Sequence, residues 1–385
     1  MKSIGRAMLQ ALVVHPSKLD PAHLAAWAAL CVAHEAWATP LVQPALTLAV
    51  GAVREDARVA VMLRAGEPVG FLPHHHRPRG LARPIGAPFS DYQALVTGPA
   101  PGFTGPEALA AAGLRGLAAN ALLDPFGLFP APLAGEQSHE THLIAPGGDA
   151  WLETIRAASP KRFKNWRRLE HKLEREVGPL AFEAEREPEA YAALIDWKRD
   201  QLRDSGLHDV LAPEWTRRLM QDLLTSDDGL MLTLRSGGRL VAGHFGLRGG
   251  GTFHPWIASA DPELASCSPG QAFLAQAIRA MPRLGLDRYD LAGGHDHYKR
   301  PFASHQLEVR EGRAFAAGGR APAWSGAMDA AVRGLGQERI ALRVRRRFDN
   351  IVTSELSLGG RVGGMIGAVA AKVRRPAGRE AAPHG

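Results

Sequence analysis

The sequence predicts an α+β protein built as two successive units with a basic extension, and three observations carry that expectation. The chain has 385 residues, 45% of them hydrophobic and 22% charged, enough for two buried cores at about 150 residues each. Short apolar runs bounded by Gly, Pro, Ser and Asp turns alternate with helical periodicities, so strands and helices are mixed along the chain. The breaker Ala145-Pro146-Gly147-Gly148 then divides residues 1–146 from 147–320, with 321–385 as the extension.

In order, Ala7 to Val14 reads as a strand rather than a signal peptide, because His15-Pro16 stands where small residues would be needed for cleavage. Asp20-Pro21 caps a helix on which Leu24, Trp27, Leu30 and Cys31 recur at helical spacing. Arg58 to Leu63 and Val69 to His74 form a hairpin, Leu81 to Gly86 and Tyr92 to Thr97 continue the strands, and alanine-rich Pro106 to Ala119 predicts a helix. Strands at Ala121 to Phe129 and His139 to Ile144 complete the first unit. The second opens with helices Trp151 to Ala158 and Lys161 to Val177, then a strand Ala181 to Glu185 and helices Pro188 to Leu202 and Pro213 to Leu224. A three-strand meander follows at Leu230 to Arg235, Leu240 to Leu247 and Thr252 to Ala258, with glycine turns between. A helix opened by Ser268-Pro269-Gly270, a strand Arg288 to Leu291, a short helix carrying Tyr298, Lys299 and Phe302, and strands Gln306 to Arg310 and Arg313 to Ala316 close it.

The charge is unevenly spread. The whole chain carries +7, and residues 333–385 alone hold eleven basic and four acidic residues, so residues 1–332 are neutral in sum. Two distant cysteines, Cys31 and Cys267, imply no disulfide framework, and the chain has no Cys-x-x-C pair. The run His74-His75-His76 alternates faces along a strand and cannot converge on one metal. No Gly-x-Ser-x-Gly elbow, Walker loop or dinucleotide-binding Gly-x-Gly-x-x-Gly in a βαβ setting is present, which sets aside hydrolase, kinase and dehydrogenase readings.

The element order, with the stretches Val69 to Pro73, Gly86 to Tyr92, Ser159 to Leu169, Leu240 to Gly246, Ser268 to Gly270, and Asp290 to Gly294 followed by Tyr298 to Phe302, resembles the GNAT acyltransferase fold. In particular it is similar to the CelD/BcsL-type acetyltransferases associated with cellulose and other polysaccharide biosynthesis, and to the Fem-type aminoacyl ligases, built from two GNAT-like units. The resemblance implies a tandem GNAT architecture, with an acceptor-side unit followed by a donor-binding, catalytic unit. It also implies acetyl-CoA or another acyl-CoA as cosubstrate, while the residues themselves lead to the expectation of no metal.

By that resemblance the donor lies between the strands Thr252 to Ala258 and Arg288 to Leu291, beside Trp256, with its phosphates on the helix start Ser268, Pro269, Gly270 and Gln271. The usual Gln/Arg-x-x-Gly-x-Gly/Ala loop is absent, and Ser268-Pro269 is equally a good helix cap. Lys299 inherits the role of stabilising the oxyanion of acyl transfer, against the alternative of a solvated surface lysine. Asp290 and His244 are further catalytic candidates, His244 being as readily a hydrogen-bonded core residue. Asp91 and Tyr92 are placed for the acceptor, although Asp91 also suits an Asx turn. The helix Lys161 to Arg175 carries seven basic and two acidic residues, and Arg162 and Trp166 on one of its faces, with Tyr298, are assigned to an anionic substrate. A solvated helix face is the plainer account.

The expected function is therefore acyl transfer to a sugar, amino sugar or envelope precursor, by direct attack within a ternary complex. The alternatives are tRNA-dependent aminoacyl transfer of the Fem type, and a non-catalytic scaffold of a polysaccharide synthesis complex. The expected setting is cytoplasmic, with the basic tail attaching loosely to an anionic membrane face or partner complex and no sequence-specific contact with nucleic acid.

Overall fold

The computed structural model describes residues 8–77, 80–293, 300–319 and 350–356. The α+β expectation holds: helices accompany mixed sheets throughout. The chain divides into two compact units, one comprising Met1–Glu140 with Glu308–Arg346, the other Thr141–Leu307 with Arg347–Gly385.

The first unit begins with β1 (Gln10–Val14), α1 (Pro21–Ala33) and α2 (Pro44–Val53). Asp20 caps α1 by accepting from His23 N, and prolines occupy the first turn of both helices. Next come β2 (Ala57–Arg64), β3 (Glu67–His75), β4 (Leu81–Pro84), β5 (Val96–Thr97), α3 (Gly105–Ala111), β6 (Gly116–Leu122) and β7 (Ala134–Ile144). The sheet order is β1-β2-β3-β4-β6, with β5 on β3. Helix α2 lies where no helix was anticipated. The helix expected over Pro106 to Ala119 stops at Ala111, because Gly113 takes a left-handed φ of 67°. Ala118 and Ala119 are strand residues of β6, paired with Arg313 and Gly312 of the last strand of the unit, tertiary pairing having overridden their helix propensity. Trp27 and Trp37 are buried, their indole N–H groups donating to Val42 O (3.0 Å) and Thr97 O (2.9 Å), and Trp27 stacks on Phe71 at 5.0 Å.

A polar cluster ties the chain entering β2 to β3. Arg54 binds both carboxylate oxygens of Asp56 at 2.9 Å. His75 Nε2 accepts from Gly86 N at 3.0 Å, so Nδ1 carries the proton that faces Asp56 at 3.1 Å. Burial opposes ionisation of Asp56, but hydrogen bonds from His75 and Arg54 outweigh it and hold the carboxyl well below its usual range. Burial pushes His75 down to about 4 in spite of Asp56. His74, donating to Leu72 O at 3.0 Å, is likewise pushed down by burial to about 4.

The second unit continues with α4 (Asp149–Ala158), α5 (Pro160–Glu176), β8 (Leu180–Ala184), α6 (Pro188–Asp204), α7 (Glu214–Thr225), β9 (Gly229–Ser236), β10 (Arg239–Gly249) and β11 (Thr252–Ala260). Then follow α8 (Pro269–Ala280), β12 (Arg288–Gly293) and β13 (His305–Phe315). In place of two closing strands there is one, β13, whose later residues pair with β6 in the first unit's sheet through a register shift between Arg310 and Gly312. The second sheet runs β7-β12-β11-β10-β9-β8, with β7 contributing Thr141 to Ile144. Its core packs Leu232, Val241, Phe253 and Tyr289 of the sheet with Leu173 of α5 and Phe273 and Ile278 of α8. Within the basic tail, residues 350–354 are helical; Ile351 is buried, Trp215 Nε1 donates to Ser354 O at 2.9 Å, and His208 faces Glu355 at 3.2 Å.

Both buried histidines stay neutral in the fold while their unfolded counterparts protonate below about pH 6.5. Stability from this source is thus complete above pH 6.5 and falls as the pH drops toward 4. Denaturant unfolding at pH 7 and pH 5 should show a loss of roughly 2 kcal/mol per histidine, and His75→Gln should flatten that dependence. Equal pH slopes for the two proteins would contradict it.

Candidate active site

Strands β11 and β12 are parallel, yet they share only two registered pairs, Thr252 with Arg288 and Phe253 with Tyr289. Beyond these, β11 runs on to Ala260 and β12 to Gly293 without pairing each other, so the sheet forks. Both arms are bulged. On β11, Phe245 stands opposite Ile257 and Gly246 opposite Pro255, leaving Trp256 as the extra residue. A Cβ at Gly246 would come within 2.1 Å of His254 O, so only glycine lets β10 approach there. On β12, Asp290 pairs with Leu143 and Ala292 with His142, leaving Leu291 as the extra residue. Ala292 adopts a left-handed φ of 58°, and Asp290 Oδ1 accepts its N–H at 2.7 Å.

Side chains alternate along each arm, and each face of the fork's base holds a buried polar pair. On one face, His244 of β10 and Tyr289 of β12 share a 2.6 Å hydrogen bond. The His244 ring lies 4.2 Å from Phe273 of α8, and Phe253 meets Tyr289 edge-on at 5.1 Å. On the other face, His254 Nδ1 and Asp290 Oδ2 are 3.0 Å apart, with side-chain exposures of 0% and 1%.

The chain leaving β11 turns through Pro262–Cys267 into α8. Ser268, at φ 48° and ψ 56°, precedes Pro269, and its hydroxyl makes no capping hydrogen bond, so its expected alternative role as a helix cap is not what the structure shows. A Cβ on Gly270 would meet nothing within 4 Å among the described residues; Pro269 has no N–H, and Gln271 N–H donates to Ser268 O at 3.0 Å. Lys172 of α5 donates to Ser266 O at 3.0 Å and Oγ at 3.2 Å, adding a cation near the positive helix end. Such an end favours an anion.

Ser268, Pro269, Gly270 and Gln271 thus share the start of α8, and half-buried Trp256 sits on the bulged arm leading to it. Asp290 lies at the fork's base. His244 is committed to Tyr289. Trp166 is only 5% exposed and stacks face to face on Phe302 at 4.0 Å, so its ring packs the core, while Arg162 on the same helix is exposed. Glu170 of α5 is buried and held by Gln276 and Arg279, each at 3.2 Å, which turns the remaining charge of the helix outward. Asp91 and Tyr92 belong to the first unit, Asp91 half-buried and Tyr92 1% exposed. Lys299 and Tyr298 lie outside the described residues. Sequence reasoning missed His254, whereas Lys172 is one of the basic residues it assigned to an anionic ligand. For His254 a signal existed: an acid within the apolar strand Tyr289 to Ala292 demands a partner when buried.

Trp166→Ala should therefore act on stability, lowering it by about 3–5 kcal/mol in chemical denaturation as a large buried aromatic, with ligand affinity of the folded fraction unchanged. A stable variant with weakened binding would show the ring serves a ligand.

The acetyltransferase (GNAT) domain family matches residues 160–300, from the start of α5 past the end of β12. Among solved structures, FemX aligns over 78% of this chain and 96% of its own at a TM-score of 0.50 and 10% identity, a likeness of fold. A tandem GNAT protein from the clavulanic acid biosynthesis pathway aligns over 82% of this chain and 100% of its own at a TM-score of 0.43 and 13% identity. The C-terminal DUF2156 domain assigned to a lysylphosphatidylglycerol synthetase of Agrobacterium fabrum aligns over 80% of this chain and 95% of its own, at 0.43 and 13%. No curated protein matches the sequence. Residues 160–300, which contain the fork and the helix after it, are thus the part of the chain that is similar to acetyltransferase (GNAT) domains.

Proposed function

We propose that the second unit binds acetyl-CoA or another acyl-CoA along the β11–β12 fork and passes the acyl group to an amino or hydroxyl group of a sugar, amino sugar or related envelope or polysaccharide precursor. The observation that carries this reading is the fork itself. Its facing strand edges offer N–H and C=O groups that the two arms do not give each other, and an extended chain with amides of its own, such as pantetheine, can satisfy them. Trp256 lines one arm, and the open turn at Gly270, with Lys172 nearby, suits the phosphates. The CelD/BcsL-type resemblance supplies the acceptor class.

In this reading the acceptor attacks the thioester carbonyl directly, its proton leaves to a base or to water, and the thiolate departs. Cys267 is not the nucleophile. It is fully buried, its Sγ donates to Glu176 Oε2 at 3.2 Å, and burial followed by the Glu176 carboxylate pushes its thiol up, away from the reactive thiolate. Lys299 would meet the developing oxyanion. A second reading, aminoacyl transfer from tRNA, draws on α5, whose first turn has Lys161, Arg162 and Lys164 exposed and no acid. Cations there work against the helix dipole and suit a polyanion. The surplus of basic residues beyond Arg333 is read as attachment to an anionic membrane surface or partner.

Thermal-shift and calorimetric titrations with acetyl-CoA, free coenzyme A and aminoacyl-tRNA separate these readings. Acetyl-CoA at a hundredfold excess over its Kd should stabilise the protein by about 2.7 kcal/mol. A response to aminoacyl-tRNA alone would favour the second reading, and no response to any would favour a scaffold. Once turnover is established, Cys267→Ala should keep kcat within about twofold, whereas Lys299→Ala should lower it about a hundredfold with donor Kd unchanged. Loss of turnover in a folded Cys267→Ala protein would overturn direct attack.

A further inference from the structure

The pair formed by His254 and Asp290 is a polar feature of the fork that the binding of an acyl donor does not itself explain. Both side chains are buried, at 0% and 1% exposure. An ionisable pair in that setting is a poor way to gain stability, since apolar residues of similar size commonly do as well or better. The opposite face of the same two strands is already packed by Phe253 and Tyr289. The position of the pair is specific: each member immediately follows the last registered pair of β11 and β12, so the contact joins the two arms where they begin to part.

Asp290 also acts on both arms. Oδ2 faces His254 on β11 at 3.0 Å, while Oδ1 accepts the N–H of Ala292 at 2.7 Å, within the bulge that turns β12 into its left-handed residue. On the other arm, His254 lies two residues before the bulge residue Trp256. One carboxylate thereby couples the direction in which β12 leaves the fork to the position of β11.

We propose that His254 and Asp290 are a positioning pair that sets the opening of the fork, and with it the grip on the pantetheine arm of the acyl donor. This rests on the acyl-CoA reading above. The nucleotide end of the donor, placed at the start of α8, does not pass through the fork, so the pair governs only the part of the ligand beyond the phosphates.

The test compares acetyl-CoA with adenosine 3′,5′-bisphosphate by calorimetry on the full chain. In His254→Leu, which has no donor for Asp290, the acetyl-CoA Kd should rise at least tenfold while that of the bisphosphate stays within twofold. His254→Asn, whose amide N–H can take the place of Nδ1–H, should recover acetyl-CoA binding to within threefold of the unaltered protein. If His254→Leu does not fold because Asp290 is stranded, the double change His254→Leu with Asp290→Leu removes the buried charge and should show the same split. An acetyl-CoA Kd unchanged in a folded apolar variant, or equal losses for both ligands, would overturn the assignment while leaving the acyl-CoA reading intact. If the unaltered protein bound neither ligand, the acyl-CoA reading would fail first and take the assignment with it.

Discussion

Two residue pairs, Thr252 with Arg288 and Phe253 with Tyr289, are the registered contact between β11 and β12, and the rest of the second unit is arranged around the opening beyond them. A sheet does not part at no cost, because every backbone N–H and C=O on the separated edges needs another partner. The opening persists because each arm is held from its far side. Strand β10 pairs β11 across eight registered positions, and β7 holds β12. Such a gap is present before any ligand arrives, so little of the binding energy is lost to ordering it.

The same restraint extends into the helices. Glu170, buried on α5, is bound by Gln276 and Arg279 of α8, and Trp166 stacks on Phe302 near the far end of the unit's chain. These contacts fix one side of α5 against the core and leave Lys161, Arg162 and Lys164 exposed on the other. The helix is therefore structural on one face and electrostatic on the other. Its exposed charges gain little from intrahelical pairing, since exposed ion pairs are worth only tenths of a kcal/mol to about 1 kcal/mol.

Much of this was legible in the sequence where local rules decide. The meander β9 to β11, α4 to α8, and the helix start at Ser268-Pro269-Gly270 follow from turn residues, caps and periodicity, and the structure places them within a few residues of expectation. Illegible were the features set by distant partners. Ala118 and Ala119 of β6 favour a helix alone but pair with β13, nearly two hundred residues on. Trp166 shares a helix with Arg162 yet lies inside, because Phe302, more than a hundred residues on, covers it. His254 looks like an ordinary strand residue until the fold brings Asp290 beside it. The fork itself is an absence of pairing, which no residue pattern spells out.

The packing of residues 350–356 onto the second unit bears on the order in which the protein is made. Trp215 lies 139 positions before Ser354, the carbonyl its indole N–H meets, and between them the chain passes into the first unit through β13. The second unit is therefore unfinished when its last strand leaves the ribosome. The hydrogen bond from Trp215 to Ser354 O must wait until the far segment is synthesised, so this part of the unit is completed late, in an interval when incompletely packed chains are prone to association.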